Sequence, residues 1–284
     1  MPARLIDGRA HALAIREELR RAVERHPDQR PPGITVVQVG DDLASTTYVR
    51  GKHRAAQEVG FKSAIEHLHD ITQADLHKRI GAFAHDSTMD GILLQLPLPD
   101  GLDADSALEQ IPPHKDVDGL HPYNAGRLAQ GNPTFIPATP LGVLELLRRE
   151  RIDPTGKRAV IVGRSRLVGR PLALLLLQNH ATVTIAHSHT VDLPALTRTA
   201  DILVAATGKR GLITGEHVNP GGVVVDVGIT RDPETGKLTG DVDRASVDPV
   251  AGALTPVPGG VGPMTVAMLL VNTYRAYRQH LGQA

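Results

Sequence analysis

Two rhythms of apolar positions alternate along this chain. Short, nearly unbroken aliphatic runs at 34–39, 159–162, 201–206 and 223–227, and one from Gly91 through Gln95 that Pro97 ends, read as buried strands, because a strand covered on both faces has no polar side to show. More mixed strands are predicted at 62–68 and 182–186. Between them, apolar residues return every third or fourth position, the helix period. Ala12, Ile15, Leu19 and Val23 line one side of a helix predicted from an Asp7 cap to about Arg25. Further helices are predicted over about 45–59, closed by Gly60, and over 72–85, 139–151, 169–179, 194–199 and 265–280. Alternation of strand and helix predicts an α/β protein built on parallel sheets.

The 284 residues suffice for two domains. Pro137-Ala-Thr-Pro-Leu-Gly142 begins a bridge between them, where Thr139 can cap and Pro140 can start a helix. The last helix is apolar along Val266, Leu269, Leu270, Thr273 and Tyr277, and is expected to pack back on the first domain. The expected division is therefore 1–138 plus 264–284, and 139–263.

Composition narrows the function. Lys plus Arg equals Asp plus Glu at 31 each, so no basic excess points to nucleic acid. The absence of cysteine excludes disulfides, thiol catalysis and Cys-ligated metals. The N-terminus lacks the apolar core of a signal peptide, and the longest aliphatic run, 172–177, is far short of the ~18 residues of a membrane span. No membrane partner and a cytoplasmic location are expected. With aromatics at 2%, Tyr48 and Tyr123 stand out as ligand-stacking candidates.

The stretch from Ala159 to Ala173 reads as strand, tight turn and helix start. Gly163 allows a sharp turn, and Gly169 and Pro171 suit a helix N-terminus. Such a turn is either a phosphate cradle for a dinucleotide or an ordinary strand-to-helix connection. Its spacing, Gly163-x-Ser165-x-x-x-Gly169, is one residue longer than the usual Gly-x-Gly-x-x-Gly. It is neither a nucleophile elbow nor a P-loop, so Ser165 reads as a turn or phosphate-contacting hydroxyl. After the next strand, no acid precedes Asp192 where NAD sites usually place one. Ser188 and His189 stand there instead, joined by Arg164 from the first turn, which favours NADP. Gly228-Ile229 closes a later strand end where a nicotinamide could lie.

In the first domain Ser45, Tyr48 and Lys52 share one helix face at i, i+3 and i+7. Lys52 is either a proton-shuttling lysine with a lowered pKa or a snorkelling surface side chain. Gln95 interrupts a buried strand near its C-terminal end, where ligands of open α/β sheets bind. Asp116 and Asp118 follow in a loop. No further acid or His accompanies them at a usual metal spacing, so no metal is expected, and one of them reads as an acceptor for a nitrogen-rich ligand. Gly259 and Gly260, between Pro256, Pro258 and Pro263, permit close backbone approach to a ligand, or form a hinge.

These pieces together resemble one family, the bifunctional methylenetetrahydrofolate dehydrogenase/methenyltetrahydrofolate cyclohydrolases of FolD type. The matching stretches are Tyr48-Val-Arg-Gly-Lys52, Gly91-Ile-Leu-Leu-Gln-Leu-Pro-Leu-Pro99 and Lys115-Asp-Val-Asp-Gly-Leu-His-Pro-Tyr-Asn124, then Gly163-Arg-Ser-Arg-Leu-Val-Gly-Arg-Pro171, Val225-Asp-Val-Gly-Ile229 and Thr255-Pro-Val-Pro-Gly-Gly-Val-Gly-Pro-Met-Thr265. They cover nearly the whole chain in order. The resemblance implies two α/β domains with a deep cleft between them. The first (1–138 plus 264–284) would bind folate, and the second (139–263) would be a Rossmann-like doubly wound parallel sheet binding NADP. It implies oxidation of 5,10-methylenetetrahydrofolate to the methenyl form, then hydrolysis to 10-formyltetrahydrofolate. Lys52 resembles the catalytic lysine, with Tyr48 beside it and Gln95 hydrogen-bonding it. Asp118, rather than Asp116, matches the pterin anchor. Ser45, Pro258, Gly259 and Gly260 match positions at the folate. Gly163, Arg164, Ser165, Ser188 and Ile229 match the dinucleotide site, with Arg164 and Ser188 at the 2′-phosphate. A homodimer is likewise implied. Two departures are Ala138, where many members have Cys, and His189, where Arg or Lys is common. The competing readings are an NADP-dependent dehydrogenase of another small substrate, and a non-catalytic folate- or nucleotide-binding protein. The Lys52, Gln95 and Asp118 set argues against both.

Overall fold

The computed structural model describes residues 2–232 and 235–283. They form two compact units. One comprises Leu13–Ala138 and the chain from Val266 on; the other comprises the chain up to Ala12 together with Thr139–Thr265. The N-terminal segment thus differs from the expected 1–138 grouping. The cause is a strand too short to leave an apolar pattern. β1 (Arg4–Leu5) pairs in parallel with a late strand of the other unit's sheet, Leu5 opposite Leu254, and Ile6 beyond it is buried. α1 (Gly8–Glu24) follows, its start held by the Ala10 N–H donating to Asp7 Oδ1 at 3.0 Å.

The first unit holds three parallel strands, β2 (Gly33–Val39), β3 (Lys62–Leu68) and β4 (Gly91–Leu94), in the order β3-β2-β4. β2 is buried along its whole length. α2 (Leu43–Glu58) connects β2 to β3, and α3 (Gln73–His85) connects β3 to β4. α2 starts earlier than its apolar face suggests, because Asp42 accepts from the Ser45 N–H at 2.7 Å and caps it. α3 opens on a Thr72–Asp75 capping box. Val37, Leu76, Ile80, Ile92 and Leu94 meet in one core. The chain leaves central β2 for β3 on one side, then returns to β4 on the other. That reversal is a topological switch point, and the ends of β2 and β4 open a crevice there. α4 (Ala104–Leu108) and α5 (Pro122–Ala129) flank the Asp116 loop.

The second unit carries α6 (Ala138–Arg149), β5 (Arg158–Val162), α7 (Gly169–Gln178), β6 (Thr182–Ala186), α8 (Leu193–Thr197), β7 (Ile202–Ala205) and β8 (Val223–Asp226). A two-stranded ribbon, β9 (Thr230–Arg231) with β10 (Leu238–Thr239), precedes α9 (Arg244–Val247) and β11 (Ala253–Leu254). The main sheet is parallel throughout, in the order β1-β11-β8-β7-β5-β6. It is doubly wound, with its own switch point between β5 and β7.

α10 (Val261–His280) begins at Val261 rather than near 265. Gly262 and Pro263 fall within its first turn, where a proline has no helical hydrogen bond to lose. Its later turns belong to the first unit. Asn272 Nδ2 donates to Val117 O at 2.8 Å and Ile136 O at 2.9 Å, and Tyr277 Oη donates to Gln29 Oε1 at 3.0 Å. Among the described residues, no helix is long and apolar enough to cross a membrane.

Candidate active site and dinucleotide crevice

In the first unit, three sequence-predicted residues converge at the β2/β4 switch point. Gln95 follows β4 directly, and its N–H donates to Val37 O at 2.8 Å, adding one rung to the sheet. Its side-chain Nε2 donates to Leu96 O at 2.6 Å, which turns Oε1 toward α2. There it accepts from Lys52 Nζ at 2.9 Å. Asp118 interacts electrostatically with the same ammonium. Burial lowers the Lys52 pKa below the ordinary lysine value, with Asp118 opposing. Burial raises the Asp118 pKa, with Lys52 opposing and Asp116 adding to the rise. A buried lysine held by a neutral amide, with its pKa lowered by burial, is suited to giving and taking protons.

The two aspartates of the loop divide their work. Asp116 is buried and committed to the fold: it accepts from the Leu120 N–H at 3.2 Å, the His121 N–H at 2.8 Å and Asn124 Nδ2 at 2.8 Å. A bridge to Ile92 pins the loop beside β4. Burial raises the Asp116 pKa, against the Asn124 hydrogen bond. Among the described residues none donates a hydrogen bond to Asp118, so its carboxylate is available to a ligand. Ser45 is buried in the first turn of α2. Tyr48 is 41% exposed, and among the described residues no hydrogen bond joins it to Lys52. Burial raises its pKa.

In the second unit, the turn after β5 lies at the β5/β7 switch point. Gly163 has φ 129°, and a Cβ there would stand 2.1 Å from Ala206 O at the end of β7. Ser165 Oγ accepts from the Val168 N–H at 3.1 Å and shapes the entry to α7. A crevice of about 430 Å³ opens here, lined by Gly163, Arg164, Ser165, His187, Ser188, Thr190, Thr207 and Lys209 among others. None of its lining residues is acidic. Two cations and several hydroxyls without a carboxylate fit a dinucleotide bearing a 2′-phosphate. Thr207 and Lys209 went unread in the sequence; the signal was a Gly- and Lys-containing turn directly after a buried strand.

Ile229 and the 258–260 segment belong to this unit too. Ile229 is exposed beyond β8, its Cδ1 close to Gly262. Gly259 O accepts from the Arg9 N–H at 2.8 Å, and Pro258 is exposed. A feature that sequence reading missed anchors the neighbouring loops. Buried Asp226 accepts from the N–H groups of Gly228 at 3.0 Å, Asp241 at 2.9 Å and Val242 at 3.0 Å. Asp241 in turn accepts from Thr207 and Gly208.

Fold and sites together define a dinucleotide-binding α/β enzyme. Residues 6–118 match the model of the tetrahydrofolate dehydrogenase/cyclohydrolase catalytic domain, and residues 137–281 match that of the NAD(P)-binding domain. The chain belongs to the tetrahydrofolate dehydrogenase/cyclohydrolase family. A relative in Synechococcus sp. (strain RCC307), bifunctional protein FolD, is 52% identical over 98% of this chain and 96% of its own length. The bifunctional FolD structure from Campylobacter jejuni has 46% identity and a TM-score of 0.94, covering 97% of this chain and 99% of that one. The Trypanosoma brucei FolD structure, solved with NADP and an inhibitor, has 40% identity and a TM-score of 0.94, covering 99% of each chain.

Proposed function

We propose that this enzyme oxidises 5,10-methylenetetrahydrofolate to 5,10-methenyltetrahydrofolate and hydrolyses that cation to 10-formyltetrahydrofolate, with NADP as cofactor. The observation that carries the reading is the Lys52–Gln95 hydrogen bond at a sheet switch point, with Asp118 beside it, in a chain of this family. NADP⁺, when bound, supplies the acceptor for the hydride that leaves the methylene carbon. Gly163, Arg164, Ser165 and Ser188 in the crevice would hold it, with Arg164 and Ser188 at the 2′-phosphate and Lys209 adding charge, and Ile229 beyond β8 would meet its nicotinamide end.

Lys52 serves the hydrolytic half. Water adds to the methenyl carbon, its protons leave the new C–O group, the bond to N5 breaks, and N5 takes up one proton. The sum is one proton released per water consumed. The neutral Lys52 amine accepts the first proton, and its ammonium returns one to N5. Gln95 keeps Nζ in place without fixing its charge. Asp118 accepts hydrogen bonds from the pterin ring and amino group. Ser45 and Tyr48, on the same helix as Lys52, border the folate. The protein acts as a homodimer in the cytoplasm, a reading that rests on family membership alone.

The test is a turnover assay with 5,10-methylenetetrahydrofolate and NADP⁺ or NAD⁺, following reduced cofactor and methenyl signal together. Reduction with NADP⁺ and methenyl decay faster than in buffer are expected. Absence of reduction with either cofactor refutes the dehydrogenase reading, and a persistent methenyl signal refutes the hydrolytic one.

A further inference from the structure

A different group of side chains stands on the edge strand of the first unit's sheet. His67 lies opposite Gln38 in the β2–β3 register, and the Gly40 N–H donates to Leu68 O at 2.9 Å. This pairing fixes the turn after β2 against the end of β3. Side chains two apart on an extended chain share a side, and the His67 and His69 rings lie 4.2 Å apart. Asp41, in the turn, reaches both. Its Oδ1 is 3.4 Å from His67 Nε2, and its Oδ2 is 3.2 Å from His69 Nδ1. One ligand atom from each residue lies within 4.8 Å of the other two.

We propose that Asp41, His67 and His69 form a binding site for a divalent transition-metal ion of the zinc and nickel class. Two imidazoles and one carboxylate suit such an ion, whereas magnesium and calcium take oxygen-rich sites. Spacing agrees. A tetrahedral ion with bonds of about 2.0–2.1 Å holds its ligand atoms about 3.3 Å apart; each imidazole already stands at about that distance from one of the two Asp41 oxygens, and small side-chain rotations bring one atom of each residue, now within 4.8 Å of the others, onto a single ion. One contact opposes binding: His67 Nε2 lies 2.9 Å from Gly40 O, where it donates its proton. Metal binding breaks that hydrogen bond and selects the Nδ1–H tautomer. All three residues are exposed or nearly so, so the remaining coordination positions belong to water. Asp41 adjoins Asp42, the cap of α2. A bound ion therefore clasps the start of the helix carrying Ser45, Tyr48 and Lys52 to the end of β3. Its role is positional, separate from the chemistry at Lys52.

The experiment titrates the full-length, metal-free chain calorimetrically with ZnCl₂ and, separately, NiCl₂, without folate or dinucleotide. One saturable equivalent is expected. Its apparent affinity falls at least tenfold in His67→Ala and in His69→Ala, and is unchanged in His85→Ala, a histidine outside the cluster. Saturating zinc raises the melting temperature of the wild type and of His85→Ala, but not of His69→Ala. Identical isotherms in the wild type and both cluster variants, or no saturable binding by the wild type, overturn the proposal.

Discussion

Lys52 Nζ donates to Gln95 Oε1 at 2.9 Å, and Gln95 spends its own Nε2 on Leu96 O at 2.6 Å. The amide therefore has a single useful orientation, and the lysine is positioned by a neutral acceptor. Removing Lys52 takes away a proton carrier and leaves the dinucleotide crevice untouched. Lys52→Ala should lower methenyl hydrolysis by roughly 10²-fold or more, the usual scale of general acid–base catalysis, and hydride transfer by about tenfold or less. Separate assays of the two half-reactions check this, and equal losses would contradict a role confined to hydrolysis.

The lowered Lys52 pKa has a sign that kinetics can read. Burial favours the neutral amine, so hydrolysis should rise with pH through a midpoint below the ordinary lysine value of about 10.4. Gln95→Glu replaces the neutral acceptor with a carboxylate. An adjacent negative charge favours the ammonium, raises the Lys52 pKa and moves the profile to higher pH. A pH–kcat profile that stays put, or moves down, excludes Lys52 as the titrating group.

Asp118 and Asp116 should respond differently to the same change. Asp116 is filled by Leu120, His121 and Asn124, so Asp116→Ala leaves buried donors unpaired and should cost about 1–3 kcal/mol or more of stability. Asp118→Ala should leave the melting temperature near wild type and weaken folate binding at least tenfold. Calorimetric folate titration beside thermal melts distinguishes the two, and an unchanged folate affinity in Asp118→Ala removes it from the binding site.

The parts legible in sequence were those with a local signal. β2, β3 and α3 follow from apolar period and caps, and the glycine turn at 163 follows from its flanking strand and helix. What stayed hidden depends on contacts between distant residues. β1 has two residues and no periodicity, and exists because β11 offers it an edge. The start of α10 was obscured because Gly262 and Pro263 are breakers in mid-helix but harmless in a first turn. Asp226 looked like an ordinary motif residue, since its three N–H donors include two from residues well downstream, Asp241 and Val242. Asp41, His67 and His69 are brought together only by the β2–β3 pairing.

Gly163 tests the dinucleotide crevice. Its φ of 129° is one that side chains rarely adopt, and a Cβ would lie 2.1 Å from Ala206 O. Gly163→Ala must push β5 and β7 apart at the switch point or change the turn. A loss of about 2–4 kcal/mol is expected, with KM for NADP⁺ raised at least tenfold. Methenyl hydrolysis needs no dinucleotide and should be kept by the folded fraction. If hydride transfer and hydrolysis fall together in protein that melts like the wild type, the turn's role is not confined to the cofactor.

Asp226 predicts a pH dependence of stability opposite to that of a salt-bridged carboxylate. Burial raises its pKa from 3.8 to about 6; three backbone N–H donors oppose the rise and the Asp241 charge adds to it. Below 3.8 the folded and unfolded chains both hold this proton. Between 3.8 and about 6 the unfolded chain releases it first, so the folded state binds more protons and stability falls as pH rises. Above that window the contribution is level. A shift of about two units corresponds to about 3 kcal/mol. Asp226→Asn removes the titration while losing part of the acceptor set, so the variant is less stable overall but lacks this slope. Urea unfolding of both proteins from pH 4 to pH 8 provides the comparison, since the other carboxylates largely cancel in the difference. The stability advantage of the wild type over the variant should shrink by about 3 kcal/mol across the window. A difference that is constant or grows with pH would show that the Asp226 carboxyl is not held protonated by the fold.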